Sequence, residues 1–449
     1  MDILKDLENA PMSRFQVIAI SVALVLLLMD GYDVAVMAFA APELSQLWDI
    51  NASTLGYLLS ASLFGMAAGS IFLAPVSDRI GRRPLTMICL SIICAGLLGS
   101  VLSTNIELLF VSRVITGLGI GGMVANLNVL VSELSSRKRR GMAMGIYAAG
   151  FPIGATLCGF IARPMIPAFG WQSVFLVGAV VTFAMLLMSF RYLPESLDFL
   201  LTKRPPNALE RINAILARAS MPGLTELPPV EPTETEKGGV REVLSKTLIY
   251  RTVLLWIGYA TLTAGYYFAN TWLPKIMTTV TGNASTGVTL GTIANFGGIL
   301  GCVAFGLLTV YIPVRRLLIA TLVGAGIVFL VFSTILDHTG AALVVAAILG
   351  LLTTAGIVGF YTLPQDVYSA KARATGSGWM IGVGRLVSIA SPIIVGYLIA
   401  ANWTPSSLFA VYSIPLFVAA ISIIALALAS RRHESRPNEL NTLKVPTRS

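Results

Sequence analysis

Residues 16–40 read QVIAISVALVLLLMDGYDVAVMAFA, an apolar run interrupted only by Asp30 and Asp33 near its middle. About 20 apolar residues are enough to cross the hydrocarbon core of a bilayer as a helix. Inside lipid such a segment must satisfy its own backbone groups, which a helix does. The run is therefore expected to span a membrane. At 1.5 Å per residue, its two acids lie about 21–25 Å from the start, in the half further from the N-terminus. An ionisable side chain in that position costs about 2.5–3.5 kcal/mol on insertion scales, so both need a reason to be there.

The rest of the chain repeats this pattern. Its 449 residues are 55% hydrophobic and 12% charged, with a mean hydropathy of +0.80. Soluble domains carry about 25% charged residues. A soluble enzyme, a secreted disulfide scaffold and a disordered chain are all excluded. Spans are expected at about 16–40, 54–75, 85–103, 108–131, 142–163 and 173–192, then at 248–276, 286–310, 317–334, 341–365, 374–400 and 407–430. Residues 193–247 differ in kind, with Lys203-Arg204-Pro205-Pro206 and Leu227-Pro228-Pro229-Val230-Glu231-Pro232 in a charged setting. They read as a connector with a short helix near 207–219. The expected organisation is a six-helix bundle over 1–192, a cytoplasmic loop over 193–247, a second six-helix bundle over 248–430 and a tail over 431–449. Asp2, Asp6 and Glu8 precede the first run and no small-residue cleavage site follows it, so it reads as a retained span.

A net charge of +9 invites a nucleic-acid role, but its distribution argues otherwise. Lys5 and Arg14, then Arg79, Arg82 and Arg83, then the run Arg137 to Arg140 fall in a tail and in alternate loops. Arg315-Arg316, Lys371–Arg373 and the tail after Arg431 continue the series. The intervening loops near Asn105, Phe169, Thr339 and Thr404 are nearly free of cations. That is the positive-inside pattern, with both termini cytoplasmic and an inner-membrane location expected. No nucleic-acid partner is expected. Cys89, Cys94, Cys158 and Cys302 lie in apolar runs, and His338 and His433 stand apart. Neither metal nor cofactor is expected.

An internal repeat divides the chain. Arg82-Arg83 recurs as Arg315-Arg316 at an offset of 233, and Glu133, Arg140 and Gly145 recur as Asp366, Arg373 and Gly378 at the same offset. The shift spans an even number of helices, so the halves share one orientation. Parallel repeats with a substrate site between them are one arrangement of secondary transporters.

Four ionisable residues stand inside spans: Asp30, Asp33, Arg113 and Arg385. Arg113 lies about 8 Å below the outer end of its helix, at a depth compatible with the two acids. Asp30 and Asp33 are expected to handle a proton, with Arg113 modulating them; a static ion pair between the first and fourth helices is the competing reading. Arg385, about 16 Å into its helix, presents a planar fork suited to a carboxylate. Its repeat-related position is Pro152, so the scaffold does not demand it; a guanidinium bonded to helix carbonyls is the alternative. Gly376, Gly378, Gly382 and Gly384 thin that helix. Tyr266, Tyr267, Asn270, Trp272, Asn295 and Trp379 could line a cavity or serve as packing. Asn126 and Asn128 are placed at an inner vestibule. Asp78, Arg79, Arg82 and Arg83 surround a tight turn at Gly81, where Asp78 can cap or pair across the two halves, the latter giving a charge latch; orientation signalling is the plainer reading of the arginines.

These residues resemble motifs of a known family. Asp78-Arg79-Ile80-Gly81-Arg82-Arg83 resembles the loop motif of the major facilitator superfamily, Arg113 to Gly122 its fourth-helix motif, and Pro194-Glu195-Ser196 its sixth-helix ending. Asp30-Gly31-Tyr32-Asp33 resembles the first-helix signature of the aromatic acid:proton symporters, as does Arg373-Ala-Thr-Gly376-Ser-Gly378-Trp379 followed by Gly384-Arg385. Ala74 departs from the glycine that usually begins the loop motif, and Ala125-Asn126 from a common Pro-Asn. The resemblance implies an all-α integral membrane fold of twelve helices in two parallel-repeat bundles. It also implies proton-coupled import of a small aromatic carboxylate by alternating access, with Arg385 as a carboxylate contact. The expected partners are that substrate, protons and the lipid bilayer, and the chain is expected to be a monomer without enzymatic activity. A proton-coupled transporter of a dicarboxylate, sugar or drug is the alternative.

Overall fold

The computed structural model describes residues 12–136, 140–218, 221–228, 242–245, 248–368 and 370–434. The run Arg137-Lys138-Arg139, much of the 193–247 connector and the end of the tail lie outside them. Among the described residues there is helix and no strand. The first half contains α1 (Arg14–Leu47), α2 (Ala52–Ala68, continued by short helical turns to Ile80), α3 (Arg82–Val101), α4 (Ile106–Leu134), α5 (Arg140–Ala148 and Gly150–Phe169) and α6 (Gln172–Tyr192). The second contains α7 (Ile249–Thr281), α8 (Ala284–Leu308), α9 (Val314–Thr334), α10 (Thr339–Thr362), α11 (Ala370–Ala400) and α12 (Pro405–Glu434).

Eleven of these are long and apolar enough to cross a membrane. The twelfth, α7, is 33 residues long but falls short in hydropathy, because Tyr259, Tyr266, Tyr267, Asn270 and several threonines interrupt its apolar residues. From Ala260 to Thr278 none of its residues is exposed, and it packs against α1, α8, α10, α11 and α12. A stretch so enclosed by protein does not need a lipid-facing surface.

The repeat is visible in the packing. In the first half α1 pairs with α5, α2 with α4, and α3 with α6; in the second, α7 pairs with α11, α8 with α10, and α9 with α12. The two loop anchors are also equivalent. Arg82 bonds Glu133 at 3.0 Å, and Arg315 approaches Asp366 at 3.8 Å, each pair displaced from the other by the 233-residue offset.

Small residues let the helices approach closely. Gly31, beside Asp30, lies so close to α5 that a Cβ would strike the Phe151 carbonyl oxygen. Helix α5 itself breaks at Ala149, where Pro152 three residues on cannot supply the N–H that the Ala148 carbonyl would accept.

The halves meet along α2 and α11, α5 and α8, and α1 and α7. The contacts that join them run from mid-depth to the end away from the basic loops. Ser60 donates to the Ile389 carbonyl at 2.8 Å, the Tyr57 and Tyr397 hydroxyls lie 3.2 Å apart, and Lys275 donates to Ser45. Towards the basic loops Asp78 is 70% exposed and Arg79 is exposed. The space between the halves thus opens towards the basic end.

Candidate functional site

The two acids of α1 sit in different surroundings. Asp33 is fully buried and its Oδ1 lies 2.6 Å from Nη2 of Arg113, itself fully buried. The same Nη2 donates to the Asp33 backbone carbonyl at 3.1 Å, and Ser62 of α2 donates to Oδ2. The guanidinium also lies over the Phe175 ring at 5.4 Å from its centroid. Tyr32, between the acids in sequence, donates to the Val174 carbonyl of α6 at 2.7 Å. Asp33 is thereby tied to α2 and α4, and its neighbour to α6.

Asp30 lies one helical turn away and is only partly enclosed. It makes no ion pair or hydrogen bond among the described residues. The charged groups that act on it are Arg385, from the opposite half, and Asp33. Arg385 has no ion pair either, and the groups that feel its charge are Asp30 and the phenols Tyr259, Tyr267 and Tyr361. The sequence groups Asp30 with Asp33 and Arg113; in the structure Asp30 feels the charges of Asp33 and Arg385, while Arg113 is engaged by Asp33.

Tyrosines surround this pair. Tyr147 of α5 is 2% exposed and its hydroxyl has no hydrogen-bond partner, while Tyr266, Tyr267 and Tyr361 also interact electrostatically with Asp30. Tyr259 donates to Tyr361 at 3.3 Å, and the rings of Tyr266 and Tyr267 pack edge-on at 5.4 Å. Phe151 adds an aromatic face from the first half, 6.3 Å from Tyr266. Tyr147, Tyr259 and Tyr361 are additions that sequence reasoning missed. The spacing of Tyr259, Tyr266 and Asn270 by seven and four residues is a helical stripe that could have flagged the first of them.

Asn270 and Asn295 border one small polar pocket between α7, α8 and α10, with Thr353 and Thr354. Each amide nitrogen bonds a carbonyl of its own helix, Tyr266 at 3.1 Å and Gly291 at 3.0 Å, so each side-chain oxygen remains an available acceptor. Trp379 is 36% exposed and packs on Trp256, with ring centroids 5.8 Å apart.

Three residues stand elsewhere than expected. Trp272 does not face the cavity: it is 1% exposed and its indole N–H donates to the Pro392 carbonyl at 3.0 Å, joining α7 to α11. Asn126 does not line a vestibule: it is 2% exposed and its amide donates to the Arg82 carbonyl at 2.7 Å and to Thr86 at 2.8 Å. Asp78 does not reach across the halves; its cationic partner is Arg82, at 4.0 Å in the same loop.

The loop is held within its own half by an acid that sequence reasoning quoted only as part of a motif. Glu195 Oε1 accepts the backbone N–H groups of Arg82 at 2.7 Å and Arg83 at 3.2 Å, capping the start of α3. Its other oxygen lies 3.7 Å from Arg211 of the connector helix Ala208–Arg218. Glu133 receives Arg82 and, at 2.5 Å, the hydroxyl of Ser196. Arg83 donates to the Phe190 carbonyl at 2.6 Å. Gly81 makes the turn at φ +103°, a backbone region closed to most side chains.

Two repeated six-helix halves around a polar, charged cleft form the architecture of a multi-pass secondary transporter. The family profile of the Major Facilitator Superfamily matches residues 23–392 and 255–448, and the chain belongs to that superfamily, among its aromatic acid transporters. It is 30% identical to the 4-hydroxybenzoate transporter PcaK of Acinetobacter baylyi, over 94% of each chain. It is 28% identical to the gallate transporter of Pseudomonas putida over 95% of each, and 25% identical to the benzoate transport protein of Acinetobacter baylyi over 97% and 94%. Among solved structures, the partially occluded inward open form of the E. coli xylose transporter XylE superposes with a TM-score of 0.71. The identity there is 17%, over 92% of this chain and 98% of that one, a likeness of fold.

Proposed function

We propose that this protein imports a small aromatic carboxylate of the hydroxybenzoate type together with protons, by alternating access. The observation that carries this reading is Arg385, a guanidinium on α11 with no ion pair among the described residues, within electrostatic reach of Asp30 in the opposite half. The named activities of the relatives on 4-hydroxybenzoate, gallate and benzoate supply the substrate class. The positive-inside distribution supports an inner-membrane location with both termini cytoplasmic, so that the cleft faces inwards in this state. The protein acts as a monomer in this reading.

The roles divide between the two acids. Asp33 is engaged by Arg113 and Ser62, and serves to hold α1, α2 and α4 in register. Asp30 exchanges the proton. In the empty site, Arg385 is its counter-charge. A substrate carboxylate that takes the Arg385 fork, in two parallel hydrogen bonds, leaves Asp30 without that counter-charge, and a proton replaces it. Substrate and proton then favour each other's binding, which is what symport requires. Tyr266, Tyr267 and Phe151 offer faces to the ring, while Asn270 and Asn295 offer acceptors to ring hydroxyls. Uptake into proteoliposomes under an imposed pH gradient tests the reading. Loss of accumulation in Asp30→Asn with exchange retained is the expected result; full accumulation by that variant would overturn the proton assignment.

A further inference from the structure

The mechanism above leaves a cation of α7 unused. Lys275 stands on α7 about 9 Å before the outer end of that helix at Thr281, whereas Arg385 is about 22 Å before the outer end of α11 at Ala400. It is half-buried, and among the described residues no carboxylate lies within ion-pair distance of it. Its ammonium donates to the hydroxyl of Ser45 on α1, which in turn donates to the Pro42 carbonyl at 2.9 Å. An ammonium has three donors, so two remain unspent. Lys275 therefore lies in the seam between the halves, held by a neutral acceptor from the opposite side.

That seam must part when the outer face opens. The contacts around it are of a kind that can separate and re-form: Ser45 on Lys275, and the Phe39 ring close beside Gly291 at the same level. Once α1 withdraws, the ammonium has lost its acceptor and lines the mouth of the pathway. Arg163, exposed on α5, is another cation near that end. A partly desolvated cation without a counter-ion attracts an anion more strongly than one in open water.

We propose that Lys275 forms an outer capture site for the substrate carboxylate, which is handed on from there to Arg385. The proposal rests on the reading of the protein as a carboxylate transporter. In the inward-facing state Ser45 occupies the ammonium in place of the substrate, so the capture site exists only on the outer side and the two sides of the membrane become unequal.

The test is 4-hydroxybenzoate exchange in right-side-out and in inverted membrane vesicles. Lys275→Gln should raise the KM measured from the outer side by about three- to fivefold, the upper part of the range for one solvent-screened charge interaction. The KM from the basic side should stay within about twofold, and Lys275→Arg should behave as the unaltered chain. Lys275→Met gives the same reading if the Gln variant is poorly inserted. An unchanged outer KM in both neutral variants, or an equal rise on both sides, would overturn the capture site while leaving the transport reading standing. Absence of any exchange by the unaltered protein would remove both.

Discussion

Asp33→Asn is expected to unfold this protein more readily than Asp30→Asn, although the two acids are three residues apart. Asp33 and Arg113 are both fully buried, joined at 2.6 Å, with a second bond from the guanidinium to the Asp33 carbonyl at 3.1 Å. Neutralising one partner leaves the other charge buried without compensation, which costs about 3–5 kcal/mol. Removing both, as in Asp33→Asn with Arg113→Gln, eliminates the orphaned charge. The double variant should therefore be more stable than the sum of the single losses implies, by about 1–3 kcal/mol. Asp30 makes no ion pair or hydrogen bond among the described residues, so its conversion to Asn should cost under about 1 kcal/mol. The measurement is unfolding in mixed micelles followed by tryptophan fluorescence, for the four variants and the unaltered chain. Equal losses for Asp30→Asn and Asp33→Asn, or strict additivity in the cycle, would refute the assignment of Asp33 as a structural acid.

Three further outcomes follow from the same contacts. Arg385→Ala should weaken 4-hydroxybenzoate binding about 10- to 100-fold, the worth of a charge-assisted pair at about 1.5–3 kcal/mol, measured by calorimetry on purified protein. Glu195→Ala should lower stability by about 1–2 kcal/mol, since it removes the acceptor for two N–H groups at the start of α3, and thermal unfolding should report it. Gly31→Val should reduce the amount of folded protein recovered in the membrane, because its side chain would meet the Phe151 backbone where α1 and α5 touch. Size-exclusion profiles of the purified variant would show this.

Helix positions, the repeat and the intramembrane charges were legible because each depends on local composition or on spacing along the chain. The equivalence of Arg82–Glu133 and Arg315–Asp366 shows how far the spacing reaches, since two offsets read from sequence become two matching contacts. The division between Asp30 and Asp33 was not legible. Both are aspartates on one helix, and what separates them comes from Ser62, Arg113 and Arg385 on three other helices. Glu195 escaped for a similar reason: its partners are backbone N–H groups more than a hundred residues earlier. Trp272 and Asn126 were misplaced because a polar atom in an apolar span suggests a cavity, whereas here each one bonds a carbonyl of a neighbouring helix. The latch expected at Asp78 is the one expectation that depends on state, because a cleft open at the basic end separates the surfaces it would join.

The central claim is that Asp30 couples proton movement to carboxylate movement through Arg385. Proteoliposomes loaded at higher internal pH test it most directly, with labelled 4-hydroxybenzoate outside. A gradient of one pH unit supplies about 1.4 kcal/mol, enough for about tenfold accumulation if one proton accompanies each anion. The unaltered protein should accumulate label towards that level, while Asp30→Asn should equilibrate it and go no further. Accumulation by Asp30→Asn equal to that of the unaltered protein would contradict the account.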